Sequence, residues 1–118
     1  MKAIIIDDEK RARHLLSNLL TEHCSSITSI EEAQDLASGV DLIKTSKPDV
    51  VFLDIEMPNQ SGLDILEYFP NPVDFKIIFV TAYNQYAIEA FKLSAVDYLL
   101  KPVDTNELKE AVTKVEEA

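Results

Sequence analysis

The sequence predicts an α/β fold, namely a doubly wound parallel sheet with helices on both faces. Short apolar runs alternate with amphipathic helical patterns five times along the 118 residues, which indicates consecutive strand–helix units. Most of these runs are continuously apolar, as in strands that are covered on both faces. The length suits a single domain, residues 1–118, and a hydrophobic content of 47% is enough for a core.

The strands are predicted from runs rich in β-branched and aromatic residues. Four runs are strong: "AIII" (3–6), "VVFL" (50–53), "IIFV" (77–80) and "VDYLL" (96–100). A weaker run, "ITSIEEA" (27–33), adds a fifth strand between the first two.

The helices are predicted where apolar residues recur at steps of three and four. The predicted helices span residues 9–23, 35–45, 61–69, 84–92 and 104–117. Ser61 with Asp64 resembles a capping box, and Asp104 with Glu107 is a second start signal. We expect the apolar stripes to face the core, as in the first helix: Ala12, Leu15, Leu16, Leu19 and Leu20.

Composition and charge disfavour several classes of function. A formal net charge of −10 argues against direct nucleic-acid binding and suits a cation or a basic partner. The lone Cys24 provides no disulfide framework and no Cys-based metal site, and we expect a buried or half-buried thiol. No apolar run approaches the roughly 20 residues of a membrane span, and acids follow "MKAIII" too early for a signal peptide. We therefore expect a soluble cytoplasmic protein without membrane contact.

Polar residues stand where the predicted strands end. Because the carboxyl ends of parallel strands meet at one edge of the sheet, we expect these residues to converge there. In chain order they are Asp7, Asp8 and Glu9, then Asp54, then Thr81, and last Lys101.

The chemistry of this set points to phosphoryl transfer. Clustered carboxylates repel one another unless a hard divalent cation lies among them, and Mg²⁺ prefers oxygen ligands. Lys101 can pair with a carboxylate or a phosphoryl oxygen, and Thr81 supplies a hydroxyl donor. Such parts suit a carboxylate nucleophile that accepts a phosphoryl group.

Each residue also has an ordinary structural explanation. Asp8 alone is more often a helix N-cap than a metal ligand, and Asp54 could cap the helix that follows it. Lys101 could be a surface lysine and Thr81 an ordinary strand residue. The functional interpretation depends on finding all four at the ends of different strands.

Four segments carry a resemblance to a known family. In chain order they are "IIIDDE", "VVFLDIEMPNQSGLDIL", "IIFVTAY" and "VDYLLKP". Together they resemble the receiver domain of two-component response regulators. The resemblance covers essentially the whole chain. It implies a flavodoxin-like (βα)5 fold with the five-stranded parallel sheet in the order 2-1-3-4-5. The stretch "FVTAYNQYAIEAFKLSAVDYLLKP" is most similar to receivers of LytR/AlgR-like regulators, which precede a LytTR-type DNA-binding domain.

The resemblance assigns the metal and phosphoacceptor roles. It implies that Asp54 is the phosphoacceptor and also contacts Mg²⁺, and that Asp8 is the main carboxylate ligand. Asp7 would act mostly through water, and the backbone carbonyl of Glu56 would complete the protein ligands.

The same resemblance assigns the remaining site residues. It implies that Thr81 and Lys101 hold the phosphoryl oxygens and that Tyr98 is the switch aromatic. It also implies a cis peptide bond between Lys101 and Pro102.

A function follows from the resemblance as an expectation. The domain would accept a phosphoryl group from a sensor histidine kinase and control an effector, with transcription through a LytTR-type domain as the expected output. It would not be a conventional enzyme but would catalyse its own phosphorylation and dephosphorylation, and the face around residues 84–117 could form a homodimer. Two alternatives stay open: a receiver-like interaction module that is never phosphorylated, and a flavodoxin-like cofactor binder. The second needs a phosphate loop rich in Gly, Ser or Thr, where "DDEKRAR" offers acids.

Overall fold

The predicted α/β fold is confirmed by a computed structural model, which describes residues 1–70 and 72–118. The main sheet is parallel and contains five strands in the order β2-β1-β3-β6-β7, while β4 and β5 form a small antiparallel hairpin. Without the hairpin strands, this is the expected order 2-1-3-4-5. The strands are β1 (Lys2–Ile6), β2 (Ser29–Ala33), β3 (Val50–Leu53), β4 (Glu56–Met57), β5 (Gln60–Ser61), β6 (Lys76–Thr81) and β7 (Asp97–Leu100).

Helices cover both faces of the main sheet. They are α1 (Lys10–His23), α2 (Leu36–Ser46), a 3₁₀ helix (Gly62–Tyr68), α3 (Ala87–Lys92) and α4 (Thr105–Glu117). Two apolar cores result, one beneath α1 and α4 and the other beneath α2, the 3₁₀ helix and α3. Successive residues of β1 alternate between them, with Ala3 and Ile5 in the first core and Ile4 and Ile6 in the second. This two-sided burial explains why the strand sequences are continuously apolar.

Two predicted helices differ from the observed ones. The segment predicted as a helix at 61–69 is a 3₁₀ helix over Gly62–Tyr68, and the three-residue spacing of Leu63, Leu66 and Phe69 matches its 3.0 residues per turn. The helix predicted at 84–92 begins only at Ala87. The preceding residues form a turn in which the Ala87 N–H donates to the Asn84 carbonyl oxygen at 3.5 Å.

The predicted burial of Leu15 is wrong, because 55% of this residue is exposed. Its neighbours Leu16 and Leu20 are buried under α1 and Leu19 packs partly against the same core. Successive residues of an α-helix point about 100° apart, so burying Leu16 and Leu20 turns Leu15 toward the solvent. Cys24, at the end of α1, is buried as expected. Across residues 1–70 and 72–118, no helix has the length and apolar character needed to cross a membrane.

Candidate functional site

The strand ends converge at one edge of the sheet, as predicted. Main-chain hydrogen bonds continue the ladders just beyond the strands. The Asp7 N–H donates to Ala33 O at 3.1 Å, the Asp54 N–H to Ile6 O at 3.0 Å and the Lys101 N–H to Thr81 O at 2.9 Å. The residues that follow β1, β3 and β7 are therefore held in place by the sheet itself. Strand order reverses between β1 and β3, which is where ligands bind in such sheets.

Three carboxylates form an acidic cluster at this edge. Asp7, Asp8 and Asp54 each offer one oxygen, and these oxygens lie within 4.8 Å of one another. Asp7 and Asp54 are only 5% and 6% exposed, whereas Asp8 is exposed. Asp8 does not cap α1, because the N-cap residue is Glu9 and no side chain caps it.

Lys101 bridges the two buried carboxylates. Its Nζ donates to Asp7 Oδ2 at 2.7 Å and to Asp54 Oδ2 at 3.1 Å. The second oxygens are held by the main chain, since Asp7 Oδ1 accepts from the Glu9 N–H at 2.9 Å and Asp54 Oδ1 from the Ile55 N–H at 2.7 Å. Both buried side chains are thus fixed in orientation.

The electrostatics of the cluster favour a further cation. Burial raises the pKa of Asp54; the Lys101 ammonium opposes this shift, and the nearby charge of Asp7 adds to it. Burial alone would lower the pKa of Lys101, but its hydrogen bond to Asp7 and the charges of both carboxylates raise it. Lys101 therefore stays charged, yet one ammonium cannot neutralise three carboxylates whose oxygens lie within 4.8 Å of one another.

The donor set fits Mg²⁺. The cluster consists of carboxylates alone, and oxygen donors are what this hard cation prefers. The exposed side chain of Asp8 leaves this side of the cluster open to water, which a Mg²⁺ ion held there would need for the rest of its shell.

The turn after Asp54 is the hairpin of β4 and β5. Glu56 pairs with Ser61 across it, and Asn59 adopts a left-handed φ of 73°, which asparagine tolerates better than most residues. Ser61 Oγ accepts from the Leu63 N–H at 3.1 Å and so caps the 3₁₀ helix. Ser61 is therefore the helix cap, as the sequence suggested, and Asp54 is free for another role. The ligand role of the Glu56 carbonyl stays a prediction.

The structural role of Gly62 was not predicted from the sequence. Its N–H donates to Ile55 O at 2.8 Å, and a Cβ at this position would lie 2.1 Å from the main-chain oxygen of Asp54. Only glycine allows the 3₁₀ helix to approach the candidate phosphoacceptor so closely. Its position directly after the hairpin, in a chain with only two glycines, was the available signal.

Thr81 and Tyr98 are both connected to Tyr83, in the loop between β6 and α3. Thr81 is fully buried, and its Oγ1 accepts from the Tyr83 N–H at 3.4 Å. The Tyr98 hydroxyl donates to the main-chain oxygen of Tyr83. Tyr98 is half-buried, and its ring centroid is 6.3 Å from that of Phe79. Tyr83 was not predicted, since its contribution is made by main-chain atoms. The Lys101–Pro102 peptide bond is cis, as the resemblance implied.

Comparison with known proteins identifies the relatives of this chain. The family model described as the response regulator receiver domain matches residues 3–113. An uncharacterized response regulatory protein of Vibrio cholerae is 45% identical over 98% of this chain and 48% of its own length. The sensory transduction protein LytT of Enterococcus faecalis is 37% identical over 97% of this chain and 47% of its own length. The chain thus spans about half the length of these curated relatives.

A solved structure gives the same result. The response regulator protein TrrA of Thermotoga maritima, in complex with Mg²⁺-BeF, superposes with a TM-score of 0.83 at 34% identity. The alignment covers 97% of each chain.

Proposed function

Because this chain belongs to the response regulator receiver domain family, we propose that residues 1–118 act as one receiver domain that accepts a phosphoryl group on Asp54. One observation carries the proposal. Asp54 lies at the end of the central strand β3, with one of its oxygens within 4.8 Å of oxygens of two other carboxylates, and Lys101 Nζ donates to it at 3.1 Å.

The transfer needs a nucleophile and charge stabilisation. A carboxylate oxygen of Asp54 attacks the phosphorus of a phosphohistidine, and the P–N bond breaks with its electrons left on the imidazole nitrogen. Lys101 and the Thr81 hydroxyl then hold the phosphoryl oxygens. In dephosphorylation, which is a separate hydrolysis, water attacks the phosphorus, the P–O bond to Asp54 breaks with its electrons left on the carboxylate, and inorganic phosphate leaves. The domain would thus catalyse its own phosphorylation and dephosphorylation without being a conventional enzyme.

Mg²⁺ is the proposed cofactor. Asp8 and Asp54 would bind it directly together with the backbone carbonyl of Glu56, and Asp7 would act through water. When bound, Mg²⁺ offsets the negative charge of the transferring phosphoryl group. Support comes from the carboxylate cluster of this chain and from the Mg²⁺-BeF complex of the TrrA relative.

The phosphodonor is proposed to be a sensor histidine kinase in the cytoplasm. An apolar patch beside the site offers a docking surface: exposed Leu15 of α1 lies next to Pro102 and Val103 around a small cavity of about 90 Å³ that also touches Lys101. A partner seated on this patch would bring its phosphohistidine to the edge where Asp54 lies.

Phosphorylation is proposed to act on the output face, defined here as α3, β7 and α4. The Thr81 hydroxyl already lies near Asp54, where its hydrogen bond opposes the effect of burial on the pKa of that carboxyl. A phosphoryl group on Asp54 would attract this hydroxyl more strongly by a charge-assisted hydrogen bond, which would release the Tyr83 N–H from Thr81 Oγ1. Tyr98, which is bound to the same loop residue, could then turn inward. Its rotation would change a face that already exposes large apolar side chains, with Ile88 69% and Phe91 65% exposed.

The output face is proposed to form a homodimer when the site is phosphorylated. Within a longer protein, the receiver would thereby control transcription through a LytTR-type DNA-binding domain. The LytT relative, of which this chain matches about half, supports that choice. Sedimentation with and without beryllofluoride, on wild type and Tyr98→Ala, tests the switch. Beryllofluoride should promote wild-type self-association and have less effect on Tyr98→Ala; an identical response of the two proteins would remove Tyr98 from the mechanism.

Mass spectrometry tests the central proposal. After incubation with acetyl phosphate and Mg²⁺, the protein should gain one phosphoryl group, and Asp54→Asn should gain none. Equal labelling of Asp54→Asn would refute the assignment of Asp54. An unlabelled wild type that binds Mg²⁺ would instead favour an interaction module that is never phosphorylated.

A further inference from the structure

Arg13 joins three elements next to the acidic cluster. It lies near the start of α1, and its Nη1 donates to the main-chain oxygen of Asp7 at 2.7 Å. Its Nε donates to Glu32 Oε1 on β2 at 3.2 Å. The Arg13 side chain is only 13% exposed, whereas that of Glu32 is 39% exposed. One guanidinium therefore ties the end of β1 to both α1 and β2.

No side chain caps α1, and the turn from Asp7 to Glu9 that precedes the helix is held from two sides. On one side of the turn, the Asp7 carboxylate accepts from the Glu9 N–H at 2.9 Å. On the other side, Arg13 holds the Asp7 carbonyl, and its own N–H donates to Glu9 O at 3.1 Å. Asp8 lies in the middle of this turn with its side chain exposed, so its position is determined by the main chain around it.

We propose that Arg13 is a positioning residue for Mg²⁺ binding: it holds the Asp7–Glu9 turn so that the Asp8 carboxylate stays beside Asp7 and Asp54. The inference rests on the proposed function, because it assigns a supporting residue to the same cation site. A guanidinium suits the task, since its planar fork serves two acceptors at fixed angles and it is always charged. Residues that orient metal ligands typically change metal affinity by about 10- to 100-fold when they are lost.

A purely structural role for Arg13 makes a different prediction. If Arg13 only fastened α1 to β2, the contact with Glu32 would matter most, and removing either partner would have the same effect. The pair Arg13→Met and Glu32→Gln separates the two roles. Arg13→Met keeps an apolar stem but removes both donors, whereas Glu32→Gln removes the ion pair and leaves the contact with Asp7 intact.

The experiment measures Mg²⁺ affinity by calorimetry, with urea unfolding of the same proteins as a stability reference. In Arg13→Met the dissociation constant for Mg²⁺ should rise about tenfold or more, while in Glu32→Gln it should stay within about threefold of wild type. NMR spectra without Mg²⁺ should show shifted Asp8 and Glu9 amide signals in Arg13→Met alone. In the acetyl phosphate assay, Arg13→Met should need about tenfold more Mg²⁺ for half-maximal labelling and reach the wild-type rate at saturation.

Arg13→Lys provides a second variant should Arg13→Met fail to fold. A lysine keeps the charge and can reach one acceptor, so Arg13→Lys should bind Mg²⁺ with an affinity between those of wild type and Arg13→Met. If Arg13→Met does not fold, the expected result is an affinity of Arg13→Lys below that of wild type. Wild-type affinity in both Arg13 variants, or an equal loss in Glu32→Gln, would overturn the inference. A wild type that binds Mg²⁺ but is never labelled would refute the proposed function alone, since the affinity comparison still tests Arg13. A wild type that binds no Mg²⁺ would refute both.

Discussion

Replacing Gly62 by alanine should displace Asp54, the proposed phosphoacceptor. The added Cβ would lie 2.1 Å from Asp54 O, 3.0 Å from Asp54 C and 3.1 Å from Leu53 Cγ. Two of these atoms belong to the main chain, so no side-chain rotation relieves the contact, and the 3₁₀ helix or the Asp54 backbone must move by about 1 Å to restore van der Waals distances. Overpacking of this kind lowers the free energy of unfolding by about 1–3 kcal/mol. Because main-chain atoms must move, we expect the loss to be about 3 kcal/mol.

The same displacement should slow phosphorylation. A misplacement of about 1 Å can reduce the rate of a positioned reaction by roughly 10²-fold, and Asp54 is the proposed nucleophile. The rate of labelling by acetyl phosphate at saturating Mg²⁺ measures this effect. Urea unfolding measures the stability loss, which should lower the midpoint and leave the m-value unchanged.

Gly39→Ala is the matched control, since Gly39 is the other glycine of the chain. Its Cβ would lie 2.4 Å from Ile6 Cδ1, 2.8 Å from Ile6 Cγ1 and 3.3 Å from Ile6 Cγ2. These are all side-chain atoms, so the contact can be relieved by a shift of one side chain and does not require the main chain of the site to move. Alanine also favours the interior of a helix such as α2 by about 1 kcal/mol over glycine. We expect a smaller loss of stability than for Gly62→Ala and labelling within about threefold of wild type. Wild-type labelling of Gly62→Ala, or equal slowing in Gly39→Ala, would refute the reasoning.

Three further perturbations test the site and the fold. Leu15→Ser removes an exposed apolar side chain from the proposed docking patch, so phosphoryl transfer from the cognate kinase should be about tenfold slower, which corresponds to a loss of ~1.4 kcal/mol in the free energy of docking. The rate of labelling by acetyl phosphate should not change. Equal slowing with both donors would contradict kinase docking. Asp8→Ala should weaken Mg²⁺ binding in calorimetry more than Asp7→Ala does, because Asp7 is already bound to Lys101; equal effects would refute this ranking. The Ser38 hydroxyl and N–H hold the pKa of Asp35 below its usual 3.8, so the stability it contributes is present above pH 3.8 and disappears as the pH falls through the lower folded-state pKa. Asp35→Asn should therefore flatten the decline of the urea midpoint below pH 3.8, and an unchanged profile would contradict the assignment.

The strands and the location of the site could be predicted from the sequence, because the burial of the central strands determines where apolar residues stand and where polar residues begin. Strands covered on two faces must be continuously apolar, so β1, β3 and β6 were evident from "AIII", "VVFL" and "IIFV". Polar residues directly after such strands can only lie at the edge of the sheet. The strand order, by contrast, came from the resemblance, since nothing in an apolar run specifies its neighbour.

The contributions of Gly62, Tyr83 and Arg13 were not predictable in the same way. Each acts through main-chain atoms: Gly62 by letting a backbone approach, Tyr83 by its N–H and carbonyl, and Arg13 by binding the carbonyl of Asp7. Such contacts depend on the folded path of the chain and not on a residue pattern. The exposure of Leu15 was missed because a run of leucines does not specify which of them faces the sheet.

The ion pair between Lys101 and Asp7 joins residues separated by 94 positions along the chain. During synthesis, the carboxylates of β1 and β3 emerge long before the lysine that accompanies them. Until β7 pairs with β6, Lys101 is not in place to bind Asp7 and Asp54. A chain that is truncated before Lys101 is therefore expected to be a poor phosphoacceptor, because the proposed phosphoryl site is complete only when the last strand has paired.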